Sequence, residues 1–153
     1  MAAPLNPSDM YNLKGNYDES GVYDIHYPIV PGNEGAGVVV ASGGGMLANN
    51  LVGKRVAFVR TIEGISQILG GSYQQYIVTN AKNVFSLPDS VPFTIGSMFF
   101  INPLTACGLV QRIKDNKSRA AIQTGAASQC GRMIIKLCAM ENIPLINVVR
   151  RDE

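Results

Sequence analysis

The 153-residue sequence has no tryptophan, a single histidine (His26) and three cysteines, Cys107, Cys130 and Cys138. The cysteines are odd in number and none is spaced C-x-x-C. That argues against a disulfide framework and for a reducing compartment. With one histidine, a zinc cluster is hard to build, and Cys138 reads as the core residue of a helix. Charge is sparse: 16% of residues are charged and the formal net charge is +2. Apart from the pairs Lys54-Arg55 and Arg150-Arg151 the basic residues are scattered, so no nucleic-acid footprint is expected. Apolar runs are short and interrupted by Gly, Pro or Asn, so no membrane span is expected. The opening Met-Ala-Ala-Pro-Leu-Asn-Pro-Ser-Asp has no basic stretch followed by an apolar core and does not read as a signal peptide.

What is present is a chain that is 46% apolar, with 16 glycines and 8 prolines. This composition is globular and loop-rich, and the length suits roughly one domain. Ser8 is placed to cap a short helix over residues 8–14, with Gly15 closing it in the left-handed region. Residues 16–34 read as loop. Residues 35–42, with the run Val38-Val39-Val40, predict a buried strand that Gly43-Gly44-Gly45 ends. Residues 52–60 and 72–79 predict two more strands, which makes the first part β-rich. The character changes near Pro92. Residues 94–100 predict a short helix, and Asn102-Pro103 opens a second one carrying Leu104, Cys107, Leu109, Val110 and Ile113. Residues 119–124 then predict a strand, 125–131 a loop of small residues, 132–142 a helix with the stripe Met133, Ile134, Leu137 and Cys138, and 144–149 a strand. Strand, tight loop, helix and strand make one βαβ unit with a parallel pair.

Two constellations carry chemistry. The loop Gln123-Thr124-Gly125-Ala126-Ala127-Ser128-Gln129-Cys130-Gly131 lies between a strand and a helix. Small residues there let backbone N–H groups approach a pyrophosphate, and the helix dipole favours the anion. The spacing departs from G-x-G-x-x-G, and by itself the loop also fits a plain tight turn. The second constellation follows the next strand. A carboxylate at that point suits the ribose of NAD; this sequence has Arg150-Arg151, with Asp152 after them. Guanidinium groups match a 2′-phosphate in charge and fork geometry, and by itself the pair also fits a solvated basic strand end.

Further blocks are Asn6-Pro7-Ser8-Asp9, Lys14-Gly15-Asn16-Tyr17, Pro31-Gly32-Asn33-Glu34-Gly35-Ala36-Gly37, Gly71-Ser72-Tyr73-Gln74-Gln75-Tyr76, Asn102-Pro103-Leu104-Thr105-Ala106 and Ile146-Asn147-Val148-Val149-Arg150-Arg151. Together and in this order they resemble the zinc-free medium-chain dehydrogenase/reductases, in the branch of the quinone reductases and the mitochondrial-type trans-2-enoyl thioester reductases. The resemblance runs from about residue 3 to the last residue. It implies a mixed α/β fold: a GroES-like β-rich catalytic domain over residues 1–92, lacking its N-terminal strands, then the first βαβ part of a truncated Rossmann NADPH-binding domain over 93–153.

The resemblance also implies roles. Tyr17 would be the catalytic tyrosine, with Tyr23 or Tyr27 as substitutes. Asn102 and Thr105 would line the nicotinamide side. Ala127, Ser128, Gln129 and Cys130 would hold the pyrophosphate, and Arg150, Arg151 and Asp152 the adenosine phosphate. Asn33 stands where zinc-dependent relatives carry a histidine, so no metal is expected, and Glu34 reads as structural. Ser128 and Gln129 stand where many quinone reductases have two glycines, which tilts the reading towards the thioester reductases. The implied activity is hydride transfer from NADPH to an activated C=C or a quinone. The implied partner is a small-molecule substrate, the full-length protein a homodimer, and the location mitochondrial or cytoplasmic. A truncated chain of this family would be inert alone and marginally stable. A family remnant serving as a binding or structural subunit stays open as a second reading.

Overall fold

The computed structural model describes residues 1–15, 28–60 and 70–150. They form two compact units, Met1–Phe100 and Ile101–Glu153.

In the first unit, helix α1 (Pro7–Leu13) starts from an extended Asn6. Pro7 at the first helical position needs no N–H partner and has a preset φ, so the cap falls on Asn6 rather than on Ser8 as expected. Asp9 in the first turn accepts the Asn6 backbone N–H at 2.8 Å. After the helix, Gly15 has φ 73°, a left-handed conformation that favours glycine.

Strands β1 (Glu34–Val38), β2 (Arg55–Val59) and β3 (Val84–Ser86) form an antiparallel sheet in that order. Ala36 stands opposite Ala57, and Val56 opposite Ser86. An isolated bridge adds Ala2 to Ala36 on the other edge of β1. The expected burial of the valine run fails: Val38 is 42% exposed and Val40 66%. The buried part of β1 is its small-residue half, because the Phe58 ring packs where a Gly35 side chain would stand. A short helix, α2 (Met46–Asn49), leads to β2. Helix α3 (Phe93–Gly96) packs on β1 and β2. The Arg55 guanidinium stacks 4.0 Å from the Phe93 ring and donates to the Val91 carbonyl at 2.6 Å.

The strand expected over residues 72–79 does not form. Ser72 and Tyr73 instead donate their amides to the Gly32 and Pro31 carbonyls. The backbone of residues 75–78 has no hydrogen-bond partner among the described residues. Strand propensity without a ladder partner gives extended chain, not sheet.

The second unit runs α4 (Ile101–Asp115), β4 (Ala121–Thr124), α5 (Gln129–Met140), β5 (Leu145–Val148). The strands pair in parallel, with Ile122 opposite Ile146 and Thr124 opposite Val148. Helix α4 begins at Ile101, so Asn102 and Pro103 lie within its first turn rather than at its start. A proline, which has no N–H to donate, is tolerated in the first turn of a helix. The core is Ala106, Val110, Ile134 and Cys138, with Ile113, Met133, Leu137 and Leu145 packed around it. Cys138 is thus buried as expected. Of the stripe expected on α4, Cys107, Leu104 and Leu109 face outward. The small Ala106 takes the contact with α5, since a small residue lets two helices approach closely. Ile122, Ile146 and Val148 are exposed on the opposite face of the strand pair.

Candidate functional site

The end of β4, the turn after it and the first turn of α5 form one construction. Gly125 has φ 64°, and Ser128 returns its amide to the Gly125 carbonyl at 2.9 Å. Ser128 is also the helix cap: its hydroxyl accepts the Gly131 N–H at 3.0 Å. Gly131 is forced by packing, because a Cβ there would stand 2.6 Å from the Gly125 carbonyl oxygen and 2.7 Å from that of Ala126. With Gly131 capped, the amides of Gln129 and Cys130 have no acceptor among the described residues. Two outward N–H groups at the start of a 12-residue helix attract an anion. Of the loop residues expected to bind, Ala127, Ser128 and Gln129 are exposed and Ala126 beside them is buried.

Cys130 turns its side chain inward. Its thiol donates to the Asn102 carbonyl at 3.9 Å, and burial pushes its pKa up. That contact brings Asn102 beside the turn. The Thr105 hydroxyl donates to the Ile101 carbonyl one helical turn back, at 2.6 Å. Arg150 is exposed in a bend just beyond β5. Tyr17, Tyr23, Tyr27, His26, Arg151 and Asp152 lie outside the described residues. One member of the loop, Gln123, has a role that the sequence analysis did not assign. Gln123 donates its amide to the Gly131 carbonyl at 3.2 Å and to Asn147 Oδ1 at 2.6 Å. A glutamine and an asparagine at matching places in two short, mostly apolar strands are the one hint in the sequence.

The first unit holds a second polar cluster. Asp9 is fully buried, and its Oδ1 accepts from Asn33 Nδ2 at 2.9 Å. Asn33 also donates to the Ser8 hydroxyl at 3.3 Å. Glu34 is 1% exposed and accepts Asn6 Nδ2 on one oxygen and the Phe100 N–H on the other, both at 2.9 Å. It therefore binds the start of α1 and the end of the unit to β1. Among the described residues, no group of three His, Cys, Asp or Glu converges as metal ligands would. A separate hollow of about 580 Å³, lined by Val40, Leu51, Val56, Phe58 and Val84 among others, contains none of the expected site residues.

Tyr73 shares its hydroxyl proton between Asp9 Oδ2 at 3.0 Å and the Pro4 carbonyl at 2.9 Å. Burial first, then the bond to Asp9 and its charge, hold the phenol up at about 12. The folded state therefore binds this proton more tightly than the unfolded chain, whose phenol titrates near ~10. The resulting stabilisation is complete below pH ~10 and is lost as pH rises towards about 12. Tyr73→Phe is expected to remove this alkaline loss. A variant whose melting temperature falls with pH across that window as steeply as the wild type contradicts the assignment.

Residues 1–89 match the alcohol dehydrogenase GroES-like domain family. The mitochondrial enoyl-acyl-carrier-protein reductase of Caenorhabditis elegans is 28% identical over 151 residues, which cover 98% of this chain and 40% of that relative. Among solved structures, a proposed NADPH:quinone reductase from Mesorhizobium loti is 37% identical, with a TM-score of 0.85, over 98% of this chain and 41% of that one. Another from Bacillus thuringiensis is 30% identical, with a TM-score of 0.79, over 98% and 42%. The chain spans about two-fifths of the length of these relatives.

Proposed function

Since the chain belongs to the alcohol dehydrogenase GroES-like domain family, within the medium-chain dehydrogenase/reductases, we propose that it is part of an NADPH-dependent oxidoreductase that reduces an activated C=C, as in a 2-enoyl thioester, or a quinone. The observation that carries this reading is the turn between β4 and α5. Its outward Gln129 and Cys130 amides, at the start of α5, fit a pyrophosphate. Ala127 and the backbone of residues 128–130 would hold it. Arg150 and Arg151 would meet the adenosine 2′-phosphate, with Asp152 at the same end of the cofactor, and Asn102 and Thr105 the nicotinamide side.

NADPH supplies the hydride in this chemistry. The chain's residues bind and orient it and answer the charge that builds on the substrate's carbonyl oxygen or α-carbon. Tyr17 is the proposed donor to that charge, protonated at neutral pH as a phenol of pKa ~10 is. The division into a catalytic part over residues 1–92 and a cofactor-binding part over 93–153 belongs to this reading, as do a homodimeric complete protein and a mitochondrial or cytoplasmic location. The names of the relatives support both substrate classes.

The test is calorimetric titration of the complete protein with NADPH, beside Gly131→Val. The valine Cβ enters a space bounded by backbone carbonyls that cannot swing aside. Binding is expected in the wild type and a loss of about tenfold or more in the variant, the scale of one charge-assisted hydrogen bond. Absence of wild-type binding contradicts the proposal.

A further inference from the structure

Gln123 and Asn147 are register partners on the two parallel strands. One amide group joins three elements there. Gln123 Nε2 reaches Asn147 Oδ1 on β5 at 2.6 Å and the Gly131 carbonyl on α5 at 3.2 Å, from its own place on β4. Gly131 is held from two further sides, by the Ser128 hydroxyl on its amide and by the Gly125 and Ala126 carbonyls against its α-carbon. The same Gln123 has its Oε1 buried without a hydrogen-bond partner among the described residues. A buried acceptor with no donor lowers stability, and a pair of apolar side chains of similar size carries no such penalty. The amide pair is therefore a poor device for stability alone, and it stands directly under the turn that would hold a pyrophosphate.

We infer that Gln123 and Asn147 are positioning residues for the dinucleotide. They hold the first turn of α5 in register with the end of β5, the strand that leads to Arg150. They act through Gly131 and through β5, not through the nucleotide itself. The inference rests on the reading of this unit as an NADPH site.

The test compares the complete wild-type protein with the double variant Gln123→Leu, Asn147→Leu, measuring melting temperature without nucleotide and NADPH affinity by calorimetry. Replacing both partners with apolar groups removes the unpaired acceptor, so the melting temperature is expected to stay equal or rise. NADPH affinity is expected to fall about tenfold, the scale of a lost supporting hydrogen bond. A merely structural pair gives the reverse, a lower melting temperature with wild-type affinity, and that result overturns the inference. If the double variant does not fold, Gln123→Glu serves instead: its carboxylate cannot donate to the Gly131 carbonyl or to Asn147 Oδ1. The same loss of affinity is expected, and wild-type affinity in that variant overturns the inference. A wild type that does not bind NADPH overturns the reading of the site and this inference with it. A wild type and a variant that bind equally overturn the inference alone.

Discussion

Replacing Tyr17 with phenylalanine in the complete protein is expected to lower turnover about 10²-fold, the range of a general acid or its hydrogen bond to developing charge. The change deletes one oxygen and leaves the ring, so packing is preserved. NADPH affinity is expected to be unchanged, because the proposed cofactor contacts lie on residues 102–152 and not on this side chain. The split separates proton donation from binding: a fall in turnover at constant affinity marks an interaction made in the transition state. The expectation does not transfer to Tyr73. Its proton is engaged by Asp9 and the Pro4 carbonyl, and its pKa of about 12 makes it a poor acid. Unchanged turnover in Tyr17→Phe would move the role to Tyr23 or Tyr27, or to no side chain.

The double variant Arg150→Ala, Arg151→Ala is expected to erase a preference for NADPH over NADH. Each charge-assisted bond to a phosphate contributes about 1.5–3 kcal/mol, and ~1.4 kcal/mol is tenfold in affinity, so the pair supports more than about tenfold discrimination. Arg150 stands exposed beyond β5, free of the desolvation that a buried guanidinium suffers. The preference is read as the ratio of kcat/KM for the two cofactors. Its loss should come from NADPH alone, with the NADH value little changed. A double variant that keeps the wild-type ratio would show that the 2′-phosphate is recognised elsewhere.

The second unit was the more legible part of the fold. Its signals are local: Ser128 as cap, the small residues of 125–131, and the Ile134 and Cys138 stripe on α5 all act within a few residues of each other. The errors there concern which face is inside. Ala106 rather than Leu104 or Leu109 turned inward, a choice made by the neighbouring helix and not by hydrophobicity. The first unit was less legible because its determinants are distant in sequence. Tyr73 reaches Asp9 across 64 positions, and Phe100 reaches Glu34 across 66. Periodicity alone also suggested a strand over residues 72–79, where no ladder partner stands among the described residues, and passed over β3, whose three residues pair with β2. For the candidate site, the tight turn between β4 and α5 was legible as a turn, from its small residues and the Ser128 cap. The Gln123 to Asn147 bridge was not, since it requires knowing that two strands lie in register.

The most direct test of the account is to supply the complete protein with NADPH and, in separate assays, a short 2-enoyl thioester and a soluble quinone, and to follow the near-ultraviolet absorbance of the reduced cofactor. The account predicts consumption of NADPH that depends on one of these acceptors, with NADH at least about tenfold poorer. A folded protein that consumes NADPH with neither acceptor, and shows no heat of NADPH binding, contradicts it.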